Sequence, residues 1–193
     1  MFNPMATAMK THRTSIDSPL IIHSVQVPNG NGMIGMSLCM GKNDEDYLLG
    51  PWKRNIEADL KVVLEWGASA VVSLMEDYEF ECLGVPELEQ KIKKIGLDWY
   101  HLPIQDECQP GLHFENSWKE IGPVLHKILD DGGKFLLFCR EGLGRSGTVT
   151  AKILIERGMS VDEAIESVRE ARAGSIENFD QEDYLFKLGN IVR

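Results

Sequence analysis

The sequence predicts an α/β domain with a central, mostly parallel twisted sheet and helices on both faces. Three observations predict it: unbroken short apolar runs at Ala70-Val71-Val72-Ser73-Leu74 and Lys134-Phe135-Leu136-Leu137-Phe138, helical apolar periods between and after them, and a glycine-rich turn joining the second run to a helix. A strand that is apolar at consecutive positions has both faces covered, which suits a parallel sheet packed between helices. Strands that alternate with helical segments fit the same architecture.

In chain order, residues 1–18 are polar and unpatterned and read as a flexible tail, leaving 19–193 as one domain. Leu20 to Val27 and Met33 to Cys39 are apolar runs separated by Pro28-Asn29-Gly30-Asn31-Gly32, a hairpin or tight-turn signal. Trp52 to Trp66 carries Ile56, Leu60, Val63 and Leu64 at helical spacing, with Gly67 as its stop. A second helix is expected from Pro86 to Gly96 and a strand from Asp98 to Ile104. Phe114 to Asp131 places Phe114, Trp118, Ile121, Leu125, Ile128 and Leu129 on one helical face. Ser160 followed by Glu163 forms a capping box before Val161, Ala164, Ile165 and Val168, and a last helix covers about Phe179 to Asn190.

Composition narrows the function classes. A hydrophobic share of 43% with 26% charged residues in 193 residues is that of a folded globular chain. No run approaches a membrane-spanning helix and no signal peptide is apparent, so the expected compartment is the cytoplasm. The net charge of −10 speaks against nucleic acid and anionic lipid as partners. The four cysteines, Cys39, Cys82, Cys108 and Cys139, lack metal-ligand spacing, so no metal or other cofactor is expected.

The chemistry concentrates in Phe138-Cys139-Arg140-Glu141-Gly142-Leu143-Gly144-Arg145-Ser146-Gly147-Thr148, where a buried strand turns into a helix. Ligands bind at such strand ends in open α/β sheets. Gly142 and Gly144 let the backbone curl so that the amides of residues 140–145 point inward as an anion nest, and the helix start adds its positive dipole end. Arg145 offers two parallel donors to a phosphoryl group. A cysteine at the base of that nest is favoured as a thiolate, which makes Cys139 the candidate nucleophile. Ser146 is placed to hydrogen-bond the sulfur when it leaves. An inert core cysteine is the ordinary reading of a lone thiol, but the glycines, the arginine and the strand–loop–helix setting outweigh it.

A cysteine and an arginine six positions apart, followed by serine, resemble the signature of the protein tyrosine and dual-specificity phosphatases. The resemblance runs from about Met33 to the C-terminus. It is nearest to the kinase-associated (cyclin-dependent kinase inhibitor 3-like) group through Val85-Pro86-Glu87-Leu88, His101-Leu102-Pro103-Ile104-Gln105-Asp106, the Cys139–Ser146 loop and Ala173-Gly174-Ser175-Ile176-Glu177. It implies a phosphatase-like fold, hydrolysis through a phosphocysteine, and a phosphorylated protein as substrate. It also implies Asp106 as general acid and Gln181 as a residue that positions the hydrolytic water. Two departures stand out. Phe138 replaces the histidine usual before the nucleophile, which implies a more alkaline activity profile, and Glu141 puts a negative charge beside the pocket.

Rival readings are weaker. No Walker-type loop is present. A rhodanese-type sulfurtransferase places its arginine one residue nearer the cysteine, and the low-molecular-weight phosphatases place the acid after the nucleophile. A pseudophosphatase that only binds phosphoproteins is the non-enzymatic alternative. Cys82 or Cys108 could pair reversibly with Cys139, although unreactive thiols are the simpler reading.

Overall fold

The computed structural model describes residues 11–45 and 51–192. Its main sheet has five strands in the order β1-β2-β7-β5-β6. β1 (His23–Gln26) and β2 (Met33–Leu38) form an antiparallel hairpin, whose connection holds Asn29 at φ 58° and pairs the Val27 amide with the Gly32 carbonyl. β7 (Lys134–Cys139) lies parallel between β2 and β5 (Ala70–Ser73), and β6 (Asp98–His101) runs parallel at the far edge.

Alternation along β7 divides the core. Phe135, Leu137 and Cys139 face one layer, packed with α4 (Leu112–Asp130), α5 (Gly144–Glu156), α6 (Val161–Ala171) and α7 (Phe179–Val192). Leu136 and Phe138 face the other, with α1 (Ile56–Trp66) and α3 (Leu88–Lys94). Both layers are apolar, which is why the strand is apolar at every position from Phe135 to Cys139. Cys139 leaves the sheet on the side from which α5 starts.

The capping chemistry sets several boundaries. Asn55 accepts from the Ala58 amide at 2.8 Å and starts α1, later than the expected Trp52. Trp52–Lys53 instead forms β4, paired with β3 (Asn43–Asp44). Gly67 closes α1 at φ 87° in the left-handed region. A short helix, α2 (Asp77–Cys82), precedes α3 and was not anticipated. The Ser160–Glu163 capping box at α6 is present.

Of the residues grouped as a tail, 1–10 lie outside the described residues. Residues 11–18 are docked: Arg13 bridges to the Pro51–Lys53 backbone and stacks its guanidinium 3.8 Å from the Trp52 ring centroid.

Candidate active site

Cys139 ends β7 and α5 begins at Gly144, so only residues 140–143 separate them. Gly142 holds φ 69°, and a Cβ there would stand 2.2 Å from the Ser37 carbonyl oxygen on β2. Only glycine lets the loop curl so close to the neighbouring strand. The Gly142 amide donates to Cys139 Sγ at 3.1 Å, and no side chain caps the start of α5. The Gly144 amide, the first of that helix, faces the Glu177 carboxylate, so the helix start already attracts an anionic group. Cys139 is 3% exposed.

Arg145 sits in the first turn of α5, 2% exposed. Its Nη1 and Nη2 donate to Glu79 Oε2 and Oε1 at 2.6 and 2.8 Å, and Nη1 also donates to the Ile104 carbonyl at 3.1 Å. Asp106 Oδ1 lies 2.8 Å from Nη2. Burial opposes the charge of Arg145, but the Glu79 hydrogen bonds and the charges of Cys139, Glu79 and Asp106 outweigh it and hold the guanidinium protonated well above its ordinary range. Ser146 is fully buried one residue on, and its Oγ has no hydrogen-bond partner among the described residues.

The loop side chains are braced from the connection between β2 and β3 and from β3 itself. Arg140 Nη2 donates to Asp44 Oδ2 at 2.8 Å, and Glu141 pairs with the fully buried Lys42. Lys42 Nζ also reaches the Arg140 carbonyl at 3.4 Å, and Arg172 donates to the Glu141 carbonyl. Glu141 thus points at a cation held in the fold.

The structure brings Cys139, Arg140, Glu141, Gly142, Leu143, Gly144, Arg145 and Ser146 into one loop with Asp106 at its mouth. Asp106 lies in a turn closed by the Cys108 amide on the Gln105 carbonyl, with Glu107 at φ 59°. That turn is tied to α7: Asn178 Nδ2 donates to the Glu107 carbonyl at 2.7 Å and Gln181 Nε2 to the Cys108 carbonyl at 3.3 Å. Gln181 is fully buried, and its Oε1 accepts from the Glu177 amide at 2.8 Å. Both ends of this amide are engaged with backbone, so here it positions the acid turn and the α6–α7 connection.

Phe138 is fully buried on the opposite face of β7, with its ring 5.9 Å from that of Trp99. His101 hydrogen-bonds the Met75 carbonyl and stacks edge-on with Phe80. All four cysteines are free thiols. Burial pushes the Cys39 thiol far up. Among the described residues, no group of His, Cys, Asp and Glu could hold a metal ion, and no helix is long and apolar enough to cross a membrane.

Glu79, Lys42 and Asp44 were not legible as site residues. Glu79 occupies the third position of α2, where it also accepts from the Glu76 amide at 2.7 Å in a capping box. An S/T/D/N-type cap before an apolar run would have flagged that helix, but here the cap is glutamate and no apolar run follows.

Comparison with known proteins identifies the family. Cyclin-dependent kinase inhibitor 3 from Rattus norvegicus is 32% identical over 136 residues, covering 69% of this chain and 63% of that relative's length. Protein tyrosine phosphatase type IVA 3 from Bos taurus is 28% identical over 138 residues, covering 71% of this chain and 73% of the relative. The crystal structure of kinase associated phosphatase with its catalytic-site cysteine changed to serine superposes with a TM-score of 0.80 at 26% identity. It covers 91% of this chain and 97% of the other. A family model described as Tc-R-P, polymorphic toxin system, DSP-PTPase phosphatase, matches residues 49–159, more than half of the chain. The chain therefore belongs to this DSP-PTPase phosphatase family, within the dual-specificity and protein tyrosine phosphatase superfamily.

Proposed function

We propose that this chain is a cysteine-dependent phosphatase that hydrolyses phosphomonoesters on proteins. The observation that carries the reading is the convergence of Cys139, the N-terminal turn of α5 and a buried, Glu79-clamped Arg145 on one loop, with Asp106 ion-paired to that same arginine. In the first step Cys139 Sγ, as thiolate, attacks phosphorus while the P–O bond to the leaving oxygen breaks. Asp106 in its protonated form delivers a proton to that oxygen, an effect worth about 10²–10⁴-fold. The amides of residues 140–145 and the Arg145 guanidinium hold the phosphoryl oxygens as charge moves between them.

In the second step water attacks the phosphocysteine, gives its proton to the Asp106 carboxylate, and the S–P bond breaks. The unpartnered Ser146 hydroxyl supplies a hydrogen bond to the departing sulfur. Gln181, through its hold on the acid turn, keeps Asp106 in register with that water. The reaction needs no metal, because arginine and backbone amides carry the charge stabilisation. A phosphorylated tyrosine, serine or threonine in a protein is the substrate most in keeping with the net charge of −10 and with a relative named kinase associated phosphatase. A thiolate nucleophile suits a reducing, cytoplasmic setting.

The test is hydrolysis of p-nitrophenyl phosphate with reductant and no added metal. Wild type should turn over, Cys139→Ser should not, and Asp106→Ala should be slower. Tungstate binding without turnover by the wild type would replace the enzyme with a phosphoprotein-binding module.

A further inference from the structure

The connection between α6 and α7 carries a carboxylate to the phosphate nest. Arg169 pins this connection by donating Nε to the Ser175 carbonyl and Nη2 to the Ile176 carbonyl, at 3.1 and 3.0 Å. Ile176 is held at φ 60°, a strained setting for a β-branched residue, and the Glu177 amide is fixed by Gln181. The Glu177 side chain is thereby laid against Gly144, the first residue of α5. A Cβ added to Gly144 would stand 2.3 Å from Glu177 Oε2.

The charges of three further carboxylates reach this one: Asp106 and Glu107 from the acid turn and Glu141 from the nest loop. Burial raises the Glu177 carboxyl above its usual range, the Gly144 amide opposes that, and the charges of Asp106, Glu141 and Glu107 add to the rise. The cations in the region are committed. Arg145 is held by Glu79 and Asp106, Arg140 by Asp44 and Lys42 by Glu141, so Asp106 and Glu141 reach the rim already ion-paired while Glu107 and Glu177 add net negative charge to it. An inner site built for a dianion is therefore reached through a negative rim. A phosphoester with acidic neighbours meets like charge there, and one with cationic neighbours gains compensation.

Resting on the phosphatase reading above, we propose that Glu177 is a specificity-determining residue. Set against Gly144 among Asp106, Glu107 and Glu141, it selects protein segments that carry Lys or Arg beside the phosphorylated residue. It disfavours segments with Asp or Glu there.

Two phosphotyrosine peptides, identical except for Lys or Glu on both sides of the phosphotyrosine, test this with the full chain. In wild type, kcat/KM for the lysine peptide should exceed that for the glutamate peptide by about 10-fold at low salt, and the ratio should shrink near 0.5 M salt, where charges are screened beyond about 3–5 Å. Glu177→Gln should cut the ratio several-fold, and Glu177→Lys should invert it. A wild type without preference, or a preference that both variants retain, would overturn the assignment. Failure of the wild type to cleave either peptide would instead overturn the phosphatase reading.

Discussion

Asp106 and Glu79 grip one guanidinium from two sides, and the Asp106–Arg145 contact is the one open to water. Asp106 Oδ1 stands 2.8 Å from Arg145 Nη2 with its side chain 44% exposed, whereas the Glu79 side chain is buried and bonded through both oxygens. A half-exposed carboxylate loses little by returning to solvent, while a buried one cannot leave without stranding a charge. An arriving phosphoryl group therefore displaces Asp106 and keeps Glu79. In the proposed reaction the released carboxyl, in its protonated form, then serves the leaving oxygen.

Asp106→Asn should separate these two roles. The amide is a weaker rival for Arg145, so tungstate should inhibit the variant several-fold more tightly than wild type. Turnover of p-nitrophenyl phosphate should nevertheless fall by about 10²-fold or more, since no proton donor remains. Looser tungstate binding in the variant would show that Asp106 does not compete for the arginine.

Glu79→Gln leaves the Arg145 guanidinium buried with half its clamp. Breaking a buried ion pair at one partner costs about 3–5 kcal/mol, and urea denaturation should show a loss of that order. Added sulfate should restore more stability to this variant than to wild type, because an anion in the nest supplies the missing countercharge. Equal sulfate stabilisation of the two proteins would mean that Arg145 does not face the nest.

What could be read from the chain follows from how each segment signals. The β7 run and the stripes of α1, α4 and α6 are apolar at positions that the core demands, and periodicity exposes that directly. The loop from Cys139 to Ser146 is contiguous, so its glycines, thiol and guanidinium announce themselves together. By contrast α2 is six residues long and its only buried residue is Glu79, so no hydrophobic pattern marks it. Lys42 and Glu141 are 99 positions apart and meet only because β2 and β7 are neighbours. Lysine is also among the residues least often buried, and nothing local singles out one that is. Trp52 extends the apolar period of α1, but the Asn55 cap starts the helix at Ile56, four residues after the boundary that periodicity alone places at Trp52.

A second buried charge cluster predicts how stability responds to acid. Glu156 on α5 accepts from Trp118 Nε1 at 3.0 Å, faces His126 Nε2 at 2.9 Å and pairs with Lys152 Nζ at 3.1 Å. Burial raises its carboxyl, but the hydrogen bond from His126, the charge and hydrogen bond of Lys152 and the bond from Trp118 together hold it below the usual carboxylate range. A carboxyl lowered in the folded state stabilises fully above its unfolded value, and that contribution disappears as pH falls through the folded value. Glu156→Gln should therefore be less stable than wild type near neutrality, by about 1–3 kcal/mol. The gap should narrow in urea melts taken from pH 6 towards pH 3. A gap that stays constant over that range would mean that the charge of Glu156 is not what stabilises the fold.

Gly142 and Gly158 make a matched pair of glycines in the left-handed region, at φ 69° and 93°. They differ in surroundings. A Cβ on Gly142 would meet the Ser37 carbonyl oxygen at 2.2 Å and the Leu38 nitrogen at 2.8 Å, whereas one on Gly158 would meet nothing within 4 Å. Each Gly→Ala change incurs backbone strain of about 1 kcal/mol or more, and only the change at Gly142 adds a collision with the β2 backbone. Relieving that collision moves the loop off the strand, and with it the amide that donates to Cys139 Sγ. A displacement of about 1 Å in reacting groups can cost about 10²-fold in rate. Gly142→Ala should thus lose turnover by about that factor and unfold more readily than Gly158→Ala, which should keep its activity. Equal activity in the two variants would show that the loop tolerates a side chain against β2, and that the curl at Gly142 is not what sets the nest.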